Sequence, residues 1–167
     1  ELCLRINPQH PDAHWNKALI NIQTGNFKEG WKLYEWRWNS FSKRWARNYK
    51  APLWLGEVPL KNKTILVYPE QGYGDFIQFC RYIPLLSEQG AKVIVEVPKP
   101  LLTLASSLGQ NIMVVETGTK TPNFDYQCPI MSLPLALGRG SKADAAIDAP
   151  YLHADPTAAT IWRDRLG

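Results

Sequence analysis

The 167-residue sequence predicts an α/β fold, a helical hairpin followed by a mostly parallel sheet. Three observations carry this expectation. Residues 12–38 repeat apolar side chains at helical spacing, in two runs separated by Gly25. After residue 61, short apolar runs alternate with helix-length segments, a pattern that implies right-handed crossovers and a parallel sheet. A glycine-rich turn at 70–75 joins the first of these runs to a helix, at the strand end where open α/β sheets bind ligands.

Leu2, Cys3 and Ile6 mark a short helix face, closed by Asn7-Pro8. Pro11 and Asp12 open the next helix, with Asp12 as the expected N-cap and Trp15, Ala18, Leu19 and Ile22 on one face. Gly25 ends it as a C′ glycine. Phe27, Gly30, Trp31, Tyr34 and Trp38 share a side of the helix after it. The text Ala13-His14-Trp15-Asn16-Lys17-Ala18-Leu19, Gly25-Asn26-Phe27, Gly30 and Tyr34 resembles a tetratricopeptide repeat, whose period is about 34 residues. Lys17, Gly30 and Ser42 depart from that pattern. The resemblance covers residues 1–38 and implies a protein or peptide partner on a concave helical face. Fewer than about three repeats are rarely stable alone, so further repeats are expected before residue 1.

Residues 36–56 mix Arg37, Lys43, Arg44, Arg47 and Lys50 with Trp36, Trp38, Phe41, Trp45, Tyr49 and Trp54. Basic plus aromatic text fits nucleic acid, a membrane surface, or aromatics packed in a joint between two units. The crowding of tryptophans before residue 55 favours the joint. The expected divisions are helices at 1–39, a linker at 40–60 and an α/β unit at 61–167.

Within that unit Thr64–Tyr68 is near-continuously apolar, as a strand covered on both faces requires. The helix after the turn carries Phe76, Ile77, Phe79, Cys80, Tyr82, Ile83, Leu85 and Leu86, with Pro84 set to kink or split it. Strands follow at 93–97, 112–115 and 124–128, with a helix at 101–108 between the first two. Loops are expected at 117–123 and 139–149. Asp155-Pro156 should cap a last helix at 157–166.

At 45% hydrophobic and 20% charged the chain is globular, and a net charge of +4 gives nucleic acid little support. Three widely spaced cysteines give neither a disulfide framework nor a zinc spacing. A reducing, cytoplasmic setting is expected, either free or peripheral to the inner membrane. No apolar run is long enough to span a bilayer. The chain opens on Glu1 in helical text and stops as a helix ends, so a piece of a longer protein is expected.

The turn admits three readings. Gly72-Tyr73-Gly74, with Glu96 as a ribose-binding acid, fits half of a dinucleotide fingerprint. Ile77 stands at the third glycine, and Glu70 and Asp75 would repel a pyrophosphate. In a structural reading Asp75 caps the helix and Gln78 completes a capping box. In the third, Asp75 is a general base that deprotonates an acceptor hydroxyl, while Glu70, Gln71, Tyr73 and Gln78 hydrogen-bond polar ligand groups.

Gly72-Tyr73-Gly74-Asp75-Phe76 through Ile83-Pro84-Leu85-Leu86 resembles the opening of heptosyltransferase-like bacterial glycosyltransferases of the GT-B fold. With residues 63–72, Phe124-Asp125-Tyr126-Gln127-Cys128-Pro129 and 131–137, the likeness extends to bacterial proteins in which tetratricopeptide repeats precede such a domain. The resemblance implies two Rossmann-like halves, of which this chain holds the acceptor-side one. It implies Asp75 as the catalytic base. Glu70, Gln71, Gly72, Tyr73, Gly74, Gln78 and Ser132 are then the acceptor-binding residues. The resemblance leaves the acceptor open between a glycan, a lipid and a protein. No metal or other cofactor is implied, the nucleotide-sugar donor binding the other half. Ser132 has an equal reading as the N-cap of a following helix, and Asp125 as a strand-end residue bound by backbone N–H groups. The piece alone is expected to be inactive. The alternative is a non-catalytic interaction protein whose α/β domain is a degenerate scaffold.

Overall fold

The computed structural model describes residues 1–40, 43, 45–140 and 150–167. Phe41, Ser42 and Arg44, and most of the loop expected at 139–149, lie outside the described residues.

Three helices come first: α1 (Leu2–Ile6), α2 (Pro11–Gln23) and α3 (Phe27–Tyr34). His10, not Asp12, caps α2, its Nδ1 accepting from the Ala13 N–H at 3.3 Å. Asp12 lies inside the first turn, with Pro11 in front of it, and accepts from the Ser40 hydroxyl instead. Ala18 is fully buried, and a Cβ on Gly30 would stand 2.7 Å from Ile22 Cγ1. These two small residues let α2 and α3 approach closely. Helix α3 stops at Tyr34, and Trp38 falls in a 3₁₀ turn, Glu35–Asn39.

The α/β unit is a four-stranded parallel sheet of order β3-β2-β1-β4. Its strands are β1 (Thr64–Tyr68), β2 (Lys92–Val97), β3 (Ile112–Glu116) and β4 (Tyr126–Pro129). Register pairs Val67 with Val95 on one side and with Cys128 on the other. The centre strands β1 and β2 are buried on both faces, which explains their unbroken apolar text. β3 is an edge strand and only half-buried. Beyond β4, the Trp54 N–H donates to the Gln127 carbonyl at 2.9 Å and the Gln127 N–H to the Pro52 carbonyl at 3.0 Å. The chain before the unit thus covers an edge that would otherwise offer bare backbone groups.

The helix after the turn is divided as its proline requires. It runs as α4 (Tyr73–Phe79), a 3₁₀ turn (Cys80–Tyr82) and α5 (Ile83–Glu88). Pro84 lacks an N–H and its ring clashes with the carbonyl four residues back, that of Cys80. The helix between β2 and β3 shrinks to α6 (Leu102–Ala105) between 3₁₀ turns, and α7 (Leu133–Ala136) follows β4. The last helix, α8 (Pro156–Leu166), is capped as expected by Asp155, which accepts from the Ala158 N–H at 2.8 Å.

One buried cluster runs from Ala18, Trp31 and Tyr34 through Ile65, Val67, Phe76 and Val95 to Leu133. Each large apolar side chain among them contributes about 1.5–3 kcal/mol relative to exposure. Helices and sheet therefore share a core. Trp31 meets Phe79 edge-on at 5.7 Å, and its indole N–H donates to the Gly140 carbonyl at 3.2 Å. The other sheet face buries Leu66, Tyr68 and Ile94 under Tyr49 and Phe124, which lie outside the helices.

The described aromatic side chains of the basic stretch pack inward, while Lys43, Arg47 and Lys50 stay exposed. Trp36 stacks on His14 at 3.9 Å, Tyr49 meets Tyr68 and Phe124 edge-on, and Trp54 is buried with its indole on the Val58 carbonyl. Asp125 accepts from the Thr64 N–H at 2.8 Å, the strand-end role read from its position. Among the described residues, no helix is long and apolar enough to cross a membrane.

Candidate functional site at the end of the central strand

The sheet reverses direction of growth between β1 and β4, since β2 and β3 lie on one side of β1 and β4 on the other. Such a switch point opens a crevice at the carboxyl ends of the strands. Residues 69–75 leave β1 there, and residues 130–132 leave β4.

Protein side chains fill the inner part of this crevice. Arg37, fully buried, donates from Nε and Nη2 to both oxygens of Glu70, each at 2.8 Å. Its Nη2 also reaches Ser132 Oγ at 2.7 Å, and Nη1 donates to Glu35 at 2.7 Å. Ser132 donates onward to Glu35 at 2.8 Å, and the Met131 N–H donates to Glu70 at 3.1 Å. Burial pushes the Glu70 carboxyl above the usual carboxylate range, against the pull of Arg37. Burial would by itself lower the Arg37 guanidinium, but Glu70 and Glu35 hold it above its ordinary value. A fork-to-fork pair with its remaining donors satisfied is the geometry that offsets the desolvation of two buried charges.

Glu70 and Ser132 were expected to face a ligand. Both are buried and hydrogen-bonded within the protein. Ser132 occupies the N-cap position of α7, but its side chain caps nothing and serves the Arg37 network. Glu96, the candidate ribose acid, is likewise buried, accepting from Arg47 and from the Tyr49 hydroxyl.

The outer part of the turn differs. Gly72 is the N-cap of α4 and Asp75 its third residue. Asp75 Oδ2 accepts from the Gly72 N–H at 2.9 Å. This is the reverse of the expected box, in which Asp75 would cap and Gln78 would reach back. Glycine has no side chain, so only the carboxylate half of a box exists here. Asp75 is half-exposed, while Gly72, Tyr73, Gly74 and Gln78 are exposed. Gln71 is partly buried, and its Nε2 has no partner. Neither Gly72 nor Gly74 adopts a positive φ. A Cβ on Gly74 would meet nothing within 4 Å. The bend therefore does not demand glycine, and the bare backbone leaves an open surface beside Asp75.

Tyr34 lies under this surface, its hydroxyl donating to Met131 Sδ at 3.8 Å. Burial drives its phenol upward; Arg37 opposes this, and the charges of Glu70 and Asp75 add to it. Tyr34 was read only as part of a helix face and Arg37 only as part of the basic, aromatic stretch, and neither they nor Glu35 were placed at the site. A signal existed: a glutamate placed just after a buried strand needs a cation, and Arg37 lies in the aromatic text Tyr34-Glu35-Trp36-Arg37-Trp38. Among the described residues, no group of three or more His, Cys, Asp or Glu could hold a metal.

Comparison with known proteins finds no matching family model, no matching curated protein and no matching solved structure.

Proposed function

We propose that the chain is the acceptor-side, Rossmann-like half of a heptosyltransferase-like glycosyltransferase of the GT-B kind, preceded by tetratricopeptide-like helices that bind a protein or peptide. The observation that carries this reading is the state of Asp75. One carboxylate oxygen is held by the Gly72 N–H, and the group is half-exposed beside bare glycine backbone at the carboxyl end of the central strand. A carboxylate so oriented can take the proton of an acceptor hydroxyl as it attacks an activated sugar carbon. Glycines that neither φ nor packing requires are accounted for by close approach of a ligand. Gln71, Tyr73 and Gln78 border the same surface and supply polar contacts. The nucleotide-sugar donor belongs, in this reading, to a second half outside these residues.

The test is transfer or hydrolysis across a panel of nucleotide-sugars by the longest natural polypeptide containing this chain, beside its Asp75→Asn variant. The expected loss in kcat is about 10²–10⁴-fold. Equal rates would remove Asp75 as the base.

A second reading has its own support. The inner crevice is filled by Arg37, Glu70 and Ser132, as suits a non-catalytic scaffold that joins helices to a sheet. Absence of donor binding and turnover across the whole panel would favour it.

A further inference from the structure

The two edges of the sheet are finished differently. Pro52 and Trp54 bond the outer side of β4, whereas β3 has only β2 beside it among the described residues. The Thr117 N–H donates inward to the Val97 carbonyl of β2 at 2.9 Å. Backbone groups alternate sides along a strand, so Met113 and Val115 also bond toward β2, and Ile112, Val114 and Glu116 turn their N–H and C=O outward. Some of these outward groups are bonded locally. The Ile112 N–H donates to the Gly109 carbonyl at 3.3 Å, and the Glu116 carbonyl accepts from the Thr119 N–H at 3.1 Å and its hydroxyl at 2.7 Å. Among the described residues, the Ile112 carbonyl, the N–H and C=O of Val114 and the Glu116 N–H have no partner. Proteins commonly blunt such an edge with lysine or proline. Ile112–Glu116 has neither, and Met113 is 53% exposed. We propose that β3 pairs with β3 of a second copy of this chain, antiparallel about a two-fold axis at Val114, joining the two sheets into one.

The pattern of free and bonded groups selects this occupant. In that register the two Val114 residues exchange both of their bonds, and each Glu116 N–H donates to the Ile112 carbonyl opposite. Every free group is then used. The groups already bonded locally, the Ile112 N–H and the Glu116 carbonyl, are the ones that would have faced each other, so neither is missed. A foreign extended strand would present an acceptor to the first and a donor to the second, and both would go unmatched. The side chains agree. Met113 stands opposite Val115 of the other copy, at the closer, non-hydrogen-bonded positions, and so gains an apolar neighbour. Glu116 is the one charge in the strand and faces Ile112, so the pairing sets no like charges opposite each other. The contact is small, and the association is therefore weak and reversible. It involves neither Asp75 nor Arg37, since β2 separates β3 from β1. A two-fold contact is also closed, which stops at a dimer rather than a fibre.

The experiment is sedimentation equilibrium of the 167-residue chain over a range of concentrations, beside Met113→Lys, Met113→Glu and an equal mixture of the two. A reversible monomer–dimer equilibrium is expected for the unaltered chain. The two Met113 side chains are diagonal neighbours across the axis, within reach of long side chains. Each single variant should therefore raise the dimer Kd at least about tenfold, and the mixture should recover the dimer through a lysine–glutamate pair. A measurement that needs no variant is amide hydrogen exchange. The Val114 and Glu116 N–H groups should exchange more slowly as concentration rises, while the Ile112 N–H, bonded in both states, should not change. A chain that stays monomeric overturns the proposal. So does a dimer that Met113→Lys leaves intact, a mixture that fails to recover it, or a dimer in which exchange at Val114 is unaltered, since another surface or register is then in use.

Discussion

Glu70 and Asp75 are carboxylates of one turn, both read from sequence as lining one site, yet they live in opposite environments. Glu70 has no exposed side-chain surface and receives Arg37 on both oxygens plus the Met131 N–H. Asp75 is half-exposed and receives the Gly72 N–H alone. The contrast shows how a turn divides labour. Its buried end anchors the loop to helices and sheet, and its open end keeps a carboxylate oriented but available. A charge inside must be fully partnered, whereas a charge at the rim is partnered by water at little cost.

The largest effect should come from breaking the buried end. Arg37→Ala leaves Glu70 buried without its cation and should cost about 3–5 kcal/mol, measured by urea unfolding. Adding Glu70→Met to Arg37→Met should recover part of the loss, since the pair then leaves no orphan charge. An additive loss would mean that the pair does not act as a unit.

Alkaline titration probes the same interior. Burial pushes the Cys80 thiol up from an ordinary 9.0 to about 12. The folded state thus keeps a proton that the unfolded chain releases. Stability is unaffected below pH 9 and falls as pH rises from there toward 12. Each unit of that difference is worth about 1.4 kcal/mol, so the loss nears about 4 kcal/mol at the top of the window. Cys80→Ala should lessen the slope in that window, leaving the part due to Cys128, Tyr34, Tyr49 and Tyr68, which burial also raises. Under native conditions only the exposed Cys3 of the three thiols should react with a thiol reagent.

The open end should respond weakly in stability. Asp75→Asn loses one charge-assisted bond at a half-exposed helix start and should cost about 1 kcal/mol or less. The smallest effect should have the opposite sign. Gly74→Ala fills empty space inside α4 and should stabilise by about 0.5–1 kcal/mol. In the proposed reaction the same methyl group stands on the surface beside Asp75, so acceptor binding should weaken as the melting temperature rises. Destabilisation by Gly74→Ala would show that the turn uses glycine for its own geometry.

Local text carried much of this fold. The strands were legible because burial on both faces leaves unbroken apolar runs, as at Thr64–Tyr68. Pro84 announced the break after Phe79 because a missing N–H acts on its own helix. Caps were read less well. His10 displaced Asp12, and Gly72 displaced Asp75, because a shift of a few residues changes which side chain reaches the free N–H groups. At the candidate site the turn was found but its polarity was not. Glu70 and Asp75 look alike in text, and the partner that separates them lies 33 residues earlier.

By itself, then, the sequence determined the alternation of helix and strand, the covered central strands, the split helix and the glycine turn. Each follows from periodicity or from a residue acting on its own backbone. The docking of the helices onto the sheet and the filling of the switch-point crevice by Arg37 were decided only in three dimensions. Long-range pairs of charge and hydrogen bond have no period, and burial falls on a residue only once distant segments have met.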